Sequence, residues 1–356
     1  MKTTLHRSIT PLLLLSAFVI GHSSFCAEVA KPPPPRYIEP GETRRDIATQ
    51  KPRGELLSYD PATRRGTFKA TADGATREFI ALPHVLCQHH CAIGDMRDYR
   101  IGERLRFILH ESKGGQWNLL GAVSEELSEI VAHDEPYFVD AIDAAKRILT
   151  CTRRNRAGDK IVWPGMTIRT DGQTRYWRNG KPEARFEDVT AGMPLWIKTH
   201  DGSGLLDRIA WDIFLDDASI ETLKQAQTAA HHERLAREGL PGYMDTAAGS
   251  EVRLTLFTEA MSFILNQTGL PKGAPGAQRG LKPRQSVHLS LAGPDRVARG
   301  EKLAGKITTL RPYIKLGSYI CEVTVALDAP MPAGFRPAAV ARLWPLPTAE
   351  NKPVAK

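Results

Sequence analysis

Apolar and polar positions alternate with a period of two over much of this chain. Leu105, Phe107 and Leu109 alternate with Arg104, Arg106 and Ile108, and the runs Val252, Leu254, Leu256 and Val287, Leu289, Leu291 repeat the pattern. Alternation of this kind predicts short strands buried on one face. Hairpin dipeptides punctuate the runs at Asp73-Gly74, Asp171-Gly172 and Asn179-Gly180. Further strands are expected over 55–59, 66–71, 76–82, 117–123, 147–153, 306–310, 319–327 and 340–343.

One stretch breaks the pattern. Residues 217–239 are rich in Ala, Leu, Gln, Glu, Lys and Arg, which lose little side-chain freedom in a helix. Asp217 or Ser219 can cap its start, and Gly239 and Pro241 stand where it should stop. Ile220, Leu223, Ala226 and Ala230 form a thin apolar stripe, which predicts a helix laid across the outside of a barrel or bridging two. The adjacent His231 and His232 diverge by about 100° on a helix and read as surface residues. The fold class that follows is mainly β: tandem small OB-like or Greek-key barrel modules with one long connecting helix.

A repeat supports the modules. Asp98, Gly102, Leu105, Phe107, His110 and Gly114 recur without a gap as Asp188, Gly192, Leu195, Ile197, His200 and Gly204. An Asp entering a turn, a Gly with a permissive φ and an alternating strand make one structural unit used twice. The expected organisation is a leader over 1–26, a Pro-rich disordered tether over 27–53, β modules over 54–126 and 137–214, the helix over 217–239, a third β module over 250–345 and a tail over 346–356.

Composition adds a compartment. Lys2 and Arg7 precede the apolar run 11–21, with small residues at Ser24 and Cys26, which reads as a secretory signal peptide cleaved after Cys26 or Ala27. Phe25 makes Cys26 the second choice as a lipid-anchored residue. The chain carries 48 basic and 40 acidic residues, a net charge of +8. That mild excess suits an anionic polysaccharide or an envelope protein as partner, and export argues against cytosolic nucleic acid. The protein is expected to be periplasmic or extracellular, and peripheral to a membrane at most.

The densest candidate chemistry is the loop holding His84, Cys87, His89, His90 and Cys91. Thiolates and imidazoles suit zinc or copper. In an oxidising compartment a Cys87–Cys91 disulfide closing the loop is the preferred reading, with free thiols and a metal site as alternatives. Cys151 and Cys321 read as buried thiols or as disulfide partners. Two basic stretches are candidate ligand surfaces: Arg175, Tyr176, Trp177 and Arg178 by stacking and charge, and Lys272, Arg279, Lys282 and Arg284 as a flexible arm. The GxSxG, HExxH, P-loop and GxGxxG signatures are absent, so no enzyme and no catalytic residue is expected, and no cofactor unless the loop holds its metal.

The stretches RLAREGLPGYM (234–244), GFRPAAVARLWP (334–345) and MRDYRIGERLRF (96–107) resemble uncharacterised exported bacterial proteins carrying small OB-like β modules. The resemblance implies a helix ending in a Gly-Leu-Pro turn that leads into a strand-rich C-terminal module. It implies no catalytic residues. The sequence thus points to a non-enzymatic envelope protein whose β modules bind a partner protein or an anionic polymer, with a metal-binding or redox loop at 84–91 as the alternative.

Overall fold

The structure is a computed structural model that describes residues 47–204, 206–260, 281–293, 295–315 and 318–346. The expected leader, most of the tether, Lys272, Arg279 and most of the tail lie outside the described residues.

The first barrel draws on β1 (Thr49–Gln50), β2 (Arg53–Asp60), β3 (Arg65–Ala70), β4 (Thr76–His89), β5 (Ala92–Gly94), β6 (Arg104–Glu111) and β7 (Trp117–Glu125), and α1 (Glu126–Ala132) follows. Strands β2, β3, β4, β7 and β6 close a ring in which only β4 and β7 run parallel. The second barrel holds β8 (Tyr137–Asp143), β9 (Ile148–Arg154), β10 (Ile161–Arg169), β11 (Arg175–Arg178), β12 (Lys181–Ala184), β13 (Pro194–Gly204) and β14 (Asp207–Phe214). Here β8, β9, β10, β14 and β13 close identically, with β10 and β14 parallel. Five strands ringed in the order first, second, third, fifth, fourth form the OB topology.

Helix α2 (Asp217–Glu238) leads into the third barrel: β15 (Leu240–Ala248), β16 (Glu251–Leu256), β17 (Ser286–Ala292), β18 (Ala298–Lys315), β19 (Ser318–Leu327) and β20 (Val340–Pro345). Its six strands close in the order β15-β16-β19-β18-β17-β20, all antiparallel. The ring therefore begins at Leu240, ahead of the expected 250, and β1 pairs with β6 from within the expected tether.

Each barrel has its own apolar filling. Phe68, Phe79 and Phe107 pack in the first, with Phe68 and Phe107 stacked at 4.1 Å. Tyr137, Leu149, Ile168, Leu195 and Ile213 fill the second, and Leu254, Val287, Leu289, Val323 and Val325 the third. The sequence repeat is structural. A 3-10 turn at Met96–Asp98 precedes β6 and one at Phe186–Asp188 precedes β13. Asp98 and Asp188 each accept a hydrogen bond at 2.8 Å from the backbone N–H three residues back, Asp95 and Arg185. Gly102 and Gly192 then turn the chain at φ of 89° and 81°, where a side chain would be strained.

Helix α2 touches all three barrels, through β5, β11, β14 and β20. Asp216 caps it, accepting from Ser219 N–H at 2.7 Å. The expected stripe holds only at its start: Ala226 and Ala230 are exposed, whereas Ile220, Gln227, His231 and Leu235 face inward. His231 and His232 are buried, correcting the surface reading. The helix is wedged between barrels rather than laid on one, so adjacent residues both find protein, His231 Nε2 lying 3.4 Å from Glu259 O.

Candidate functional site

The Cys/His loop is the hairpin between β4 and β5. His89 pairs with Ala92, leaving His90 and Cys91 as a two-residue turn, both with positive φ (49° and 60°). Such a turn suits the right-handed strand twist but is ordinarily built from Asn and Gly. Here it is pinned from outside: Glu125 Oε1 accepts from His90 N–H, and Ser128 Oγ accepts from Cys91 N–H at 2.8 Å.

This geometry separates the two cysteines. Cys87 lies on the inner face of β4 in the first barrel's core, whereas Cys91, in the turn itself, packs against the second barrel's core. The expected Cys87–Cys91 disulfide is corrected: both thiols are free, as are Cys151 and Cys321. Burial pushes Cys91 up to about 12 and Cys87 well above the ordinary thiol value, so neither is a ready thiolate. His84 leaves the cluster as well. It faces the third barrel, its Nδ1 3.0 Å from Tyr243 Oη.

His89 and His90 do converge, with ring centroids 3.7 Å apart, and they meet residues the sequence did not single out. Lys198, from the outer face of β13, inserts its ammonium between the first and second barrels. Its Nζ lies 2.7 Å from Glu103 Oε1, 3.0 Å from Glu125 Oε2 and 3.2 Å from the Nε2 atoms of both His89 and His90. Lys198 is 4% exposed and both glutamates 1%, so the group is sealed from water. Burial opposes the charge on Lys198, yet Glu125 and Glu103 hold its pKa above the ordinary value. Burial likewise opposes the charge on Glu125, and Lys198 with the two imidazoles holds its carboxyl well below the usual range. Burial lowers His90 to about 3, leaving a neutral ring.

Three of the four groups that accept from Lys198 are fixed through their other atom. Glu125 Oε1 accepts from Ser128 Oγ–H at 2.9 Å, and Glu103 Oε2 from Arg100 N–H at 2.9 Å. His89 Nδ1 lies 3.2 Å from Gln227 Oε1 on α2. Gln227 presents its oxygen because its NH2 donates to Asp98 Oδ2 at 2.9 Å, and Arg234 holds Asp98 from about two turns further along the helix. The His89 proton therefore belongs on Nδ1, and the Nε2 lone pair faces the ammonium. Gly94 leaves room for this chain, since a Cβ there would stand 2.9 Å from Asp98 Oδ2.

A second feature lies where the first barrel, the third barrel and the end of α2 meet. A cleft of about 270 Å³ is lined by Arg64, Arg97, Arg296 and Arg342, with Tyr59 and Asp95 among its walls. Arg97 is paired with Asp95 at 2.8 Å and Glu238 at 2.9 Å, and Arg296 with Glu259. Arg342 is spent mainly on carbonyls, donating to Arg296 O at 2.7 Å and Gly239 O at 2.8 Å, while Glu238 stands 3.9 Å away. Arg64 donates to Ala81 O and makes no ion pair among the described residues, although Asp295, from the same cleft wall, favours its charge. The buried Nε atoms of Arg64 and Arg296 have no hydrogen-bond partner among the described residues. Burial disfavours the charged form of Arg64, Arg296 and Arg342 alike.

The expected aromatic-basic run is used internally. Tyr176 sits in the second core, and Arg175 and Trp177 both donate to Asp212 Oδ1 at 2.7 Å. Arg178 lies 3.6 Å from Asp188. Lys282 and Arg284 are exposed at the entry to β17. The residues missed, Glu103, Glu125, Lys198, Arg64, Arg296 and Arg342, each stand alone on a strand or turn and read as solvated charges. One signal was present: in the repeat, Glu103 and Lys198 align with the apolar Met193 and Ile108.

No known family matches the chain and no curated protein is similar to it. Among solved structures, a copper(II)-bound variant of CusF from Escherichia coli aligns at 15% identity, covering 22% of this chain and 91% of that one, with a TM-score of 0.17. Silver(I)-bound CusF aligns at 14% identity over 22% of this chain and 99% of that one, with a TM-score of 0.18. Likeness of this degree adds nothing to the assignment of either site.

Proposed function

We propose that this chain is a non-enzymatic, exported binding protein whose cleft between the first and third barrels captures the acidic groups of an anionic polymer. The observation that carries the reading is Arg64, a cleft-lining guanidinium with no ion pair among the described residues, beside Arg296 and Arg342, whose charged forms burial disfavours. A carboxylate, sulfate or phosphate seated there supplies the missing counter-charge, and charge-assisted hydrogen bonds from arginine are among the stronger polar contacts. The mild cationic balance of the chain favours the same partner, and no described helix is long and apolar enough to cross a membrane.

Titration calorimetry of the full chain with an oligouronate tests this. Arg64→Gln should weaken binding by about tenfold or more, and added salt should weaken the parent. Arg175→Gln, on the second barrel, should leave affinity unchanged. Equal affinity of the parent and Arg64→Gln would sink the reading, and an acidic protein competing for the same arginines would redirect it to a protein partner.

A further inference from the structure

The arrangement around Lys198 has the chemistry of a cation-coordination shell. Two carboxylate oxygens and two imidazole nitrogens surround one point, where an ammonium nitrogen stands 2.7–3.2 Å from all four, and the ligand atoms of His89, His90 and Glu125 lie within 4.8 Å of one another. An ammonium has three protons to give and meets four acceptors, so one contact is always unmade. It also carries one positive charge where two buried carboxylates face it, a mismatch that is costly in a sealed interior. A divalent ion would balance both carboxylates and use all four lone pairs. The anchoring of His89 by Gln227 and of Glu125 by Ser128 is the outer support that metal ligands need.

We infer that His89, His90, Glu103 and Glu125 form a transition-metal dication site of the zinc or cobalt class, in which the Lys198 ammonium stands in the metal's place. Lysine is thus a built-in counter-cation, and the four donors are free to take a metal ion once its charge is removed. Nζ–donor distances are longer than the 2.0–2.2 Å that zinc prefers, so the donors close inward by roughly 1 Å around the smaller ion. The set differs from the sequence-predicted one: it keeps His89 and His90, drops His84, Cys87 and Cys91, and draws its carboxylates from the start of β6 and the end of β7. It is independent of the arginine cleft.

The test compares the full-length parent with Lys198→Met, which keeps the bulk and removes the charge. Cobalt(II) titration should give Lys198→Met one equivalent with the ligand-field absorption of a four-coordinate ion, at an affinity on the order of 100-fold above the parent. Zinc should raise the melting temperature of Lys198→Met and leave the parent unmoved. Adding His90→Gln to Lys198→Met should remove both effects. Equal affinity of the parent and Lys198→Met, or binding that survives His90→Gln, would overturn the inference. If Lys198→Met folds only with zinc present, the inference is supported; if neither it nor Lys198→Gln folds in saturating zinc, the inference fails, because the ion would then not replace the lost charge.

Discussion

The first and second barrels share a ring order, a parallel closing pair and a 3-10 turn before the fourth strand, yet they use equivalent positions differently. In the first barrel the residue after the turn glycine is Glu103, and in the second it is Met193; midway along the strand the first has Ile108 and the second Lys198. The two fourth strands meet through a bridge between Glu103 and His200. Glu103 and Lys198 form an ion pair across that meeting, at positions whose counterparts in the repeat, Met193 and Ile108, are apolar. The turn aspartates diverge in the same way. Asp98 reaches out to Arg234 and Gln227 on α2, while Asp188 reaches no further than Arg178, at 3.6 Å within its own barrel. Equal topology therefore does not make the barrels interchangeable: the first is built to be clasped by its neighbours.

Four substitutions and one condition bear on that contrast. The largest effect belongs to Lys198→Met without metal, which leaves Glu103 and Glu125 buried and uncompensated; a loss of about 3–5 kcal/mol is expected by denaturant titration. Ile108→Met, its counterpart, should change stability by less than about 1.5 kcal/mol, and equal losses would erase the asymmetry.

Acid comes next. Burial, with His110, Arg296 and Arg64 nearby, lowers His84 to about 4, and burial with Arg234 and His232 lowers His231 to about 4, Asp95 acting the other way. His84 also faces Tyr243 and Phe257, and His231 faces the Glu259 carbonyl. The unfolded chain, with histidines near 6.5, takes up the protons first. Stability is therefore complete above about pH 6.5 and falls until about pH 4, by up to about 3 kcal/mol for each histidine. Among the described residues, the lowered histidines lie in the first barrel, its hairpin and α2. Hydrogen exchange at pH 5 should accordingly open the contacts of the first barrel with α2 and the third barrel before the second barrel's core; the reverse order would contradict this assignment.

Asp98→Asn should cost about 2 kcal/mol, since it unsettles both Arg234 and the amide of Gln227. Asp188→Asn, at a half-exposed pair, should cost less than about 1 kcal/mol. Thermal melts of the two variants measure the gap directly, and a gap near zero would mean that the clasp contributes nothing.

Much of the fold could be read from alternation, hairpin dipeptides and the gap-free repeat, because barrel interiors impose a strict period of two. The helix was legible from composition, but its buried face was not. Gln227 and His231 face inward because they meet Asp98 and Glu259, polar partners from distant segments that no local stripe announces. The β4–β5 turn was hidden because His-Cys is not a turn dipeptide, and the disulfide expectation assumed a loop where a strand carries Cys87 inward. Only His89 and His90 of the expected metal loop reach the buried cage. Lys198 looked like any outward lysine on a strand, since nothing local shows that a second barrel covers that face.

Ring closure has a consequence for how the molecule can be recognised. A closed sheet offers no open row of amides, so a partner cannot add a strand to it. Among the described strands outside the rings, β1 is two residues long, β5 is covered by α2, and β12 carries Lys181, Pro182 and Glu183, an exposed edge that resists pairing. The closed stretches are thereby protected from edge-to-edge pairing, whereas β18 beyond Ile307 is paired on its β19 side alone. A partner seated on the closed stretches must be read by side chains and their charges, not by backbone.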